Sequence, residues 1–443
     1  MRDLLIFGIM VGALPFAIRH TWIAVLLWTW ISLMNPHTMA FGFMQNASLA
    51  AVAAGAALIS MFVTRDKLRM SWSPPIVVLV LLCIWMCITT VFAIDPADSA
   101  TQLNKVLKIQ FMTFVALLAL QSRKHIEAFL WVIVVSIGYF GFKGGIHTIL
   151  TGGVDRVYGP PGTFIAENNA LAVATIITIP LISYLRGVAS RQVVRRGLLV
   201  LMLLCAVSAL GSQSRGGFLA ILAMAAMLWF RSDRKVVHGM AILVTAAALL
   251  LVMSDQWGDR MRTIQTYEED ASAQSRLGSW RFCFNVANSR PLGGGFAVYN
   301  HPITYAIYAP ADLVGTPVAH SIYFSMLGEH GYVGLFLFLL FWWLTFRLAG
   351  RIRRDTKRQS EFAWLHSLAG MCQVSLVGYL VGGAFLQLAY FDLPYNIVVV
   401  LSVALRLLRE RFAQQTASSG AAGLGECSPA AVPPPPVAPR WPT

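Results

Sequence analysis

The chain alternates long apolar runs with short polar connections along almost its entire length. The runs lie at residues 3–18, 20–34, 47–63, 75–93, 105–121, 126–142, 167–185, 197–212, 216–230, 236–253, 320–346, 362–390 and 393–408. A helix that crosses the roughly 30 Å hydrocarbon core of a bilayer needs about 20 predominantly apolar residues, and most runs approach that length. The pattern therefore predicts an all-α polytopic membrane protein.

The first two runs are each short for one crossing, and Pro15, Arg19 and His20 interrupt them. We therefore expect residues 3–34 to form one interrupted span. This gives about 12 transmembrane helices with both termini in the cytoplasm. If each run crosses separately, the count becomes 13.

Composition supports this class, with 57% hydrophobic residues, 12% charged residues and a mean hydropathy of +0.65. The formal charge of +14 does not indicate nucleic-acid binding, because the basic residues are dispersed among short connections and act as topology signals. They concentrate in alternate connections, at Arg65 to Arg69, Arg123 and Lys124, Arg186 to Arg196, Arg231 to Lys235, Arg347 to Arg358 and Arg406 to Arg411. These connections should be cytoplasmic, so the long segment 254–319 should face outward.

We divide the chain into four parts. N-terminal transmembrane helices with short loops occupy 1–253, and an outward loop that carries short helices occupies 254–319. C-terminal transmembrane helices follow at 320–411. The tail at 412–443 is rich in Ala, Ser, Gly and Pro, which predicts disorder. The six cysteines mostly fall in apolar runs and show no paired metal-ligand spacing, so neither a disulfide framework nor a zinc site is indicated.

The end of the outward loop places His320 where an aqueous segment enters the bilayer. Thr316 suits an N-cap and Pro317 suits the first helical position, which puts His320 in the first turn of a helix. The positive end of the helix dipole disfavours imidazolium, so His320 should be neutral and available as a general base near pH 7. The alternative is an interfacial histidine on an ordinary capped membrane helix.

Small residues follow His320 at helical spacing. Gly328, Gly331 and Gly334 predict that this helix packs closely on a neighbour. Glu329 lies nine residues beyond His320, roughly 13 Å along a helix, so we assign it to packing and not to orienting the imidazole.

A tight outward hinge, Gly211 to Gly217, holds Arg215 near the membrane surface. A charge at that depth is costly unless it meets a partner or a water-filled cavity, so Arg215 is a candidate functional residue. The alternative is an arginine that snorkels from a helix end.

The outward loop contains arginine but no lysine, which suits bidentate capture of a phosphate oxyanion. Ser275 to Arg281 predicts a short interfacial helix anchored by Trp280, with Arg276 and Arg281 as candidate ligands. The alternative is a solvated amphipathic helix.

Two glycine-rich outward segments provide further candidates. Pro291 to Gly295 predicts a flexible turn that brings the loop back over the membrane, and Tyr299 beyond it is available to stack on a sugar ring. Arg156, in the earlier segment, is a further candidate substrate contact. The outward acids include no tight Asp-x-Asp pair, and Glu268 to Asp270 suits a solvated charge run, so we expect arginine and no metal to stabilise negative charge.

Together these motifs resemble the O-antigen ligase and polymerase superfamily of bacterial inner membranes. The resemblance depends on Ser214 to Gly217, Arg276 to Arg281, Pro291 to Gly295 and His320 to Leu335, and it covers roughly residues 150–390. The N-terminal third looks like the variant associated with exosortase-type gene clusters.

The resemblance implies a GT-C-type fold in the inner membrane with an active site that faces the periplasm. It implies transfer of a glycan (O-antigen) from undecaprenyl diphosphate to a sugar hydroxyl of the lipid A core, which completes lipopolysaccharide without a cofactor. His320 would be the essential histidine, and Arg215 with a loop arginine, best matched by Arg276, would bind the diphosphate. Such residues suit a single inverting displacement, with a base at the acceptor hydroxyl and guanidinium groups at the leaving group.

Three alternative functions remain, and they differ in the acceptor of the glycan or in whether a glycan is transferred at all. A glycan polymerase would use a lipid-linked repeat as acceptor, and a protein O-glycosylation ligase would use a protein. A lipid-glycan transporter predicts charged residues deep within several spans, whereas nearly all the charge here lies at loop edges.

Overall fold

The computed structural model describes residues 1–232, 234–250, 258, 271–311 and 318–425, and its regular structure within these ranges is helical. The α-helices in this part of the chain are α1 (Arg2–Arg19), α2 (Thr21–Met34), α3 (Leu49–Val63), α4 (Pro74–Val91), α5 (Pro96–Ala119), α6 (Arg123–Thr151), α7 (Asn168–Val188), α8 (Gln192–Gly211), α9 (Arg215–Phe230), α10 (Lys235–Leu250), α11 (Ala271–Ser289), α12 (Pro302–Tyr308), α13 (Ile322–Thr356), α14 (Ala363–Gly383) and α15 (Asp392–Gly425).

Each predicted apolar run overlaps one of these helices. Among the described residues, six helical segments are long and apolar enough to cross a membrane: Pro74–Val91, Arg123–Thr151, Asn168–Val188, Gln192–Gly211, Ile322–Thr356 and Ser360–Gly383. The helices α2, α3 and α9 are apolar but shorter. The chain is therefore a helical, multi-pass membrane protein, as its hydrophobic pattern predicts.

Two predicted boundaries are wrong. The run 362–390 does not form one helix, because α14 ends at Gly383 and a non-helical connection follows before α15 begins at Asp392. The tail does not lose its structure at residue 412, because α15 continues to Gly425. Alanine and glutamine favour the helix there, and the next proline is Pro429. Residues 426–443 lie outside the described part of the chain.

The centre of the bundle is formed by α6, α7, α8, α9 and α14, which pack on one another. The α6–α8 contact is close because small residues line it: a Cβ atom added at Gly145 would lie 2.4 Å from the carbonyl oxygen of Leu204. Helix α13 packs against α4, α11 and α14 on one side of this centre. Segment 254–319 is thus attached to the membrane bundle through the contact of its helix α11 with α13.

The two ends of the central helices differ in charge. At one end α7 begins beside the α8–α9 turn, where the side-chain amide of Asn168 donates to the carbonyl of Ser212 (2.7 Å). At the other end lie basic residues, and Arg231 at the end of α9 is close enough to Arg353 near the end of α13 for their charges to interact. The basic connections therefore lie opposite the α8–α9 turn.

Helix α13 is kinked at Gly331, whose φ of 66° and ψ of −168° are not helical. The kink leaves three successive carbonyl groups to donors outside the helix. The backbone N–H groups of Gly294 and Gly295 donate to the carbonyls of Gly328 and Glu329 (2.9 Å each), and the Trp85 indole donates to the carbonyl of His330 (2.9 Å).

The expectation of a flexible turn at 291–295 is therefore wrong, because its backbone is hydrogen-bonded to the kink in α13. Gly293 and Gly295 have φ values of 76° and 85°, which only glycine adopts readily. The expected close packing is found at Gly328, where a Cβ would lie 3.3 Å from Cys283 of α11. Gly331 serves the kink instead of a continuous packing face.

We predict that Gly331→Ala destabilises the protein. Alanine is strained at a φ of 66°, and its Cβ would lie 2.1 Å from the carbonyl oxygen of Pro291, so we expect a loss of about 2–5 kcal/mol in the free energy of unfolding. Thermal unfolding in detergent measures the change. Gly55→Ala is the matched control, since a Cβ there meets nothing within 4 Å. Equal melting temperatures for Gly331→Ala and the unmodified protein would contradict the role of the kink.

Candidate functional site

The turn between α8 and α9 is only three residues long, as the tight hinge in the sequence predicts. Gln213 has a φ of 54°, and the hydroxyl of Ser214 accepts a hydrogen bond from the backbone N–H of Gly217 (3.0 Å), which caps α9. Arg215 is thereby the first residue of α9 and is partly buried.

A small cavity of about 50 Å³ opens beside this turn. The described residues that line it are Asn169, Gln213, Ser214, Arg215, Gly216, Arg276, Phe385 and Leu386. Asn169 lies in the first turn of α7, so two helix N-termini and two arginines meet at one cavity. Helix N-termini and guanidinium groups both favour anions, and the cavity has room for a compact anionic group but not for a sugar chain.

His320 is close enough to Arg276, which lines this cavity, for their charges to interact, but it does not lie in a helix. The prediction that it occupies the first helical turn is wrong, because α13 begins at Ile322 and Ser321 is extended. His320 has a φ of 40°, in the left-handed region that histidine, asparagine and aspartate occupy more often than other non-glycine residues. The proposed cap and first helical residue, Thr316 and Pro317, lie outside the described residues.

The backbone before His320 is held by an aromatic side chain. The Trp280 indole N–H donates to the carbonyl of Ala319 (2.8 Å), and Ala319 is fully buried. Trp280 in turn stacks on Phe324 in the first turn of α13, with ring centroids 4.8 Å apart. Helix α11 therefore positions the histidine through its backbone.

The pKa of His320 lies below its ordinary value of 6.5. Burial is the main cause, the positive charge of Arg276 lowers it further, and the negative charge of Glu167 acts in the opposite direction. The neutral imidazole expected from the sequence is supported, but burial and Arg276 replace the helix dipole as its cause. This interaction also places Arg276 and Glu167 near the histidine.

Arg156 lies next to the site without being among the described residues that line the cavity. Its Nε donates to the side-chain oxygen of Gln213 (3.2 Å), and the amide of Gln213 donates to the carbonyls of Gly153 and Val154 (3.0 Å each). The earlier glycine-rich segment is thus fastened to the α8–α9 turn.

Two candidates lie elsewhere than expected. Arg281 lines a different cavity from Arg215 and Arg276, because five residues along a helix correspond to a rotation of about 140°. Tyr299 is only 7% exposed and packs against Phe282, so the expectation that it stacks on a sugar is wrong. Burial also raises the pKa of Tyr299 well above its ordinary value.

Sequence reasoning missed a buried polar network around Glu329 and His330, next to the kink in α13. The hydroxyl of Tyr390 donates to Oε2 of Glu329 (2.5 Å) and lies 2.9 Å from Nε2 of His330. Nδ1 of His330 lies 2.7 Å from the hydroxyl of Thr89. The signal that could have revealed it is a Glu-His pair inside an apolar run, because such residues need partners in a membrane protein. The network joins α4, α13 and the connection before α15.

Within the described residues, no three His, Cys, Asp or Glu side chains gather in a way that could hold a metal ion. The acidic run Glu268 to Asp270 lies outside those residues. Metal-independent transfer therefore stays a prediction.

Residues 200–339 match the family model described as O-antigen ligase. This range contains Arg215 and Arg276, which line one cavity, and His320, whose pKa is lowered by the charge of Arg276. This match supports membership of the O-antigen ligase superfamily. Residues 1–190 match a separate family of unknown function (DUF5935). No curated protein matches the chain.

The match confirms the resemblance seen in the motifs, and it indicates a ligase or glycosyltransferase type of enzyme. The matched range begins before Arg215 and ends beyond Gly334, so it contains the α8–α9 turn, the described part of segment 254–319 and the kink in α13.

We predict that Glu167→Gln moves the acid limb of the pH–rate profile to lower pH. Glu167 raises the pKa of His320, so removal of its charge lowers that pKa further and the neutral imidazole persists to lower pH. The measurement is kcat/KM for glycan transfer as a function of pH. Asp155→Asn, which removes an exposed carboxylate that does not affect the pKa of His320, should leave the acid limb of the profile unchanged. An acid limb that moves to higher pH in Glu167→Gln would contradict the assignment.

Proposed function

We propose that the chain is an inverting, metal-independent glycosyltransferase. Its donor is a glycan (O-antigen) on undecaprenyl diphosphate, and its acceptor is a sugar hydroxyl of the lipid A core, so that the product is lipopolysaccharide. The observation that carries this proposal is the meeting of Arg215 and Arg276 at one cavity beside a neutral His320.

The cavity suits the diphosphate of the donor. Two guanidinium groups and two helix N-termini supply charge and directed N–H donors, which are the features that bind phosphate oxygens. The volume of about 50 Å³ has room for part of the diphosphate and leaves the glycan outside. Asn169 and Ser214 add polar groups at the rim of the same cavity.

The reaction follows as one displacement. The imidazole of His320 takes the proton of the acceptor hydroxyl while that oxygen attacks the anomeric carbon. The bond from the anomeric carbon to the diphosphate oxygen breaks, and undecaprenyl diphosphate leaves with the electron pair. Arg215 and Arg276 stabilise the charge that develops on the leaving oxygen, so no metal and no second carboxylate is required. Attack opposite the leaving group inverts the anomeric centre.

The direction of the helices supports an outward-facing site. Lys and Arg concentrate at the helix ends opposite the cavity, and such residues mark the cytoplasmic side. We therefore propose an inner-membrane protein of GT-C type with about 12 spans and a periplasmic active site. The carrier lipid would lie in the bilayer with its diphosphate at the outer surface.

We predict that His320→Asn and Arg215→Ala each abolish transfer. Asparagine tolerates the left-handed backbone of His320, but its amide cannot act as a general base. We therefore expect the rate of glycan transfer to fall by about 10²- to 10⁴-fold. The assay uses purified protein, an undecaprenyl diphosphate glycan and the lipid A core. His147→Asn, an exposed residue of α6, is the matched control.

The same assay separates the possible acceptors. Product on the lipid A core supports the proposal, whereas product on a lipid-linked repeat or on a protein would replace that acceptor. Full activity of both variants, with protein still present in the membrane, would contradict the roles assigned to His320 and Arg215.

A further inference from the structure

Helix α11 carries a second cavity on the side that its Arg276 does not face. Its described lining includes Trp280, Arg281, Phe284, Asn285, Pro310 and Phe324, and its volume is about 520 Å³. The α11 residues in this set recur every three or four positions, so they form one face of the helix. Pockets of 300–1,000 Å³ are the usual size for small-molecule sites, and this cavity is about ten times larger than the Arg215 cavity.

An aromatic row separates the two cavities. Trp280 stacks on Phe324 on the side of the large cavity, and on the other side its ring lies 6.5 Å from that of Phe385, which lines the Arg215 cavity. Trp280 also holds the carbonyl of Ala319, immediately before His320. The two cavities therefore flank the backbone that presents the proposed base.

The lining of the large cavity suits a saccharide. Phe284 is 48% exposed and offers an apolar ring, while the Asn285 side chain offers an amide whose nitrogen donates to the carbonyl of Tyr308 (2.9 Å). Sugar rings combine apolar C–H faces with polar edges, which such aromatic and planar polar groups match. Arg281 is exposed at the same face, and its planar fork favours carboxylate or phosphate.

We propose that this cavity binds the acceptor saccharide, with Arg281 pairing with an anionic substituent on it. The inference rests on the proposed function, because it gives the second substrate of that reaction its place. A transferase that joins two bulky substrates must bring the donor and the acceptor to one base from different directions. Arg276 and Arg281, five residues apart on α11, then serve the donor and the acceptor respectively.

The test compares two variants of the full-length protein in detergent. Arg281→Ala should raise the KM for the lipid A core by about 10- to 100-fold and leave the KM for the donor unchanged, since a hydrogen bond to a charged group is worth that factor. Arg281→Lys should restore part of the loss. Arg276→Ala should mainly raise the KM for the donor. Arg195→Ala, an exposed arginine of α8, should change neither constant.

A binding measurement separates this inference from the proposed function. Deacylated, phosphorylated core oligosaccharide should bind to the unmodified protein more tightly than to Arg281→Ala in calorimetry, and its dephosphorylated form should bind equally weakly to both. Binding without any transfer would contradict the proposed function alone. Transfer in which Arg281→Ala keeps the acceptor KM, or raises the donor KM instead, would overturn this inference alone. Displacement of the oligosaccharide by phosphatidylglycerol micelles would assign the cavity to a lipid headgroup and would also overturn it.

Discussion

Burial and the positive charge of Arg276 lower the pKa of His320 below its ordinary value. Arg276 also lines one small cavity together with Arg215, and the two arginines belong to different helices, α11 and α9. The N-terminal ends of α7 and α9 lie at the same cavity, and such ends favour an anion. This is the charge environment that we propose for the diphosphate of the donor.

The rest of the architecture keeps these groups in place. The α8–α9 turn is fastened to α7 through Asn168 and to the earlier glycine-rich segment through Gln213. The kink at Gly331 frees three carbonyl groups of α13, which the 291–295 turn and Trp85 satisfy. Next to the kink, Thr89, His330, Tyr390 and Glu329 hydrogen-bond to one another. Buried without partners, these polar side chains would destabilise an apolar bundle.

The sequence predicted the helices well, because hydrophobic runs and alternating basic connections follow directly from bilayer physics. It also singled out Arg215, from its place in a tight hinge, and Arg276, from a loop with arginine but no lysine, and the structure brings both to one cavity. The sequence-based predictions were wrong for features that depend on tertiary contacts. The left-handed backbone of His320 depends on contacts outside its own segment, and the burial of Tyr299 depends on packing against α11 and α13.

The separation of Arg276 from Arg281 follows from helical geometry alone, so the sequence could have revealed it once α11 was treated as a helix. The Glu329–Tyr390 pair could not be found that way, because 61 positions separate its members. The sequence nevertheless predicts that Glu329 supports packing, and the hydrogen bond that it accepts from Tyr390, in the connection before α15, agrees with that prediction.

The central claim is that Arg215 and Arg276 bind one diphosphate while His320 lies at the anomeric carbon. A cryo-electron microscopy structure of the protein with an undecaprenyl diphosphate glycan tests it most directly. The account predicts both guanidinium groups within hydrogen-bonding distance of the diphosphate oxygens, with the imidazole on the opposite side of the sugar's anomeric centre. A diphosphate bound away from either arginine, or a histidine on the leaving-group side, would contradict it.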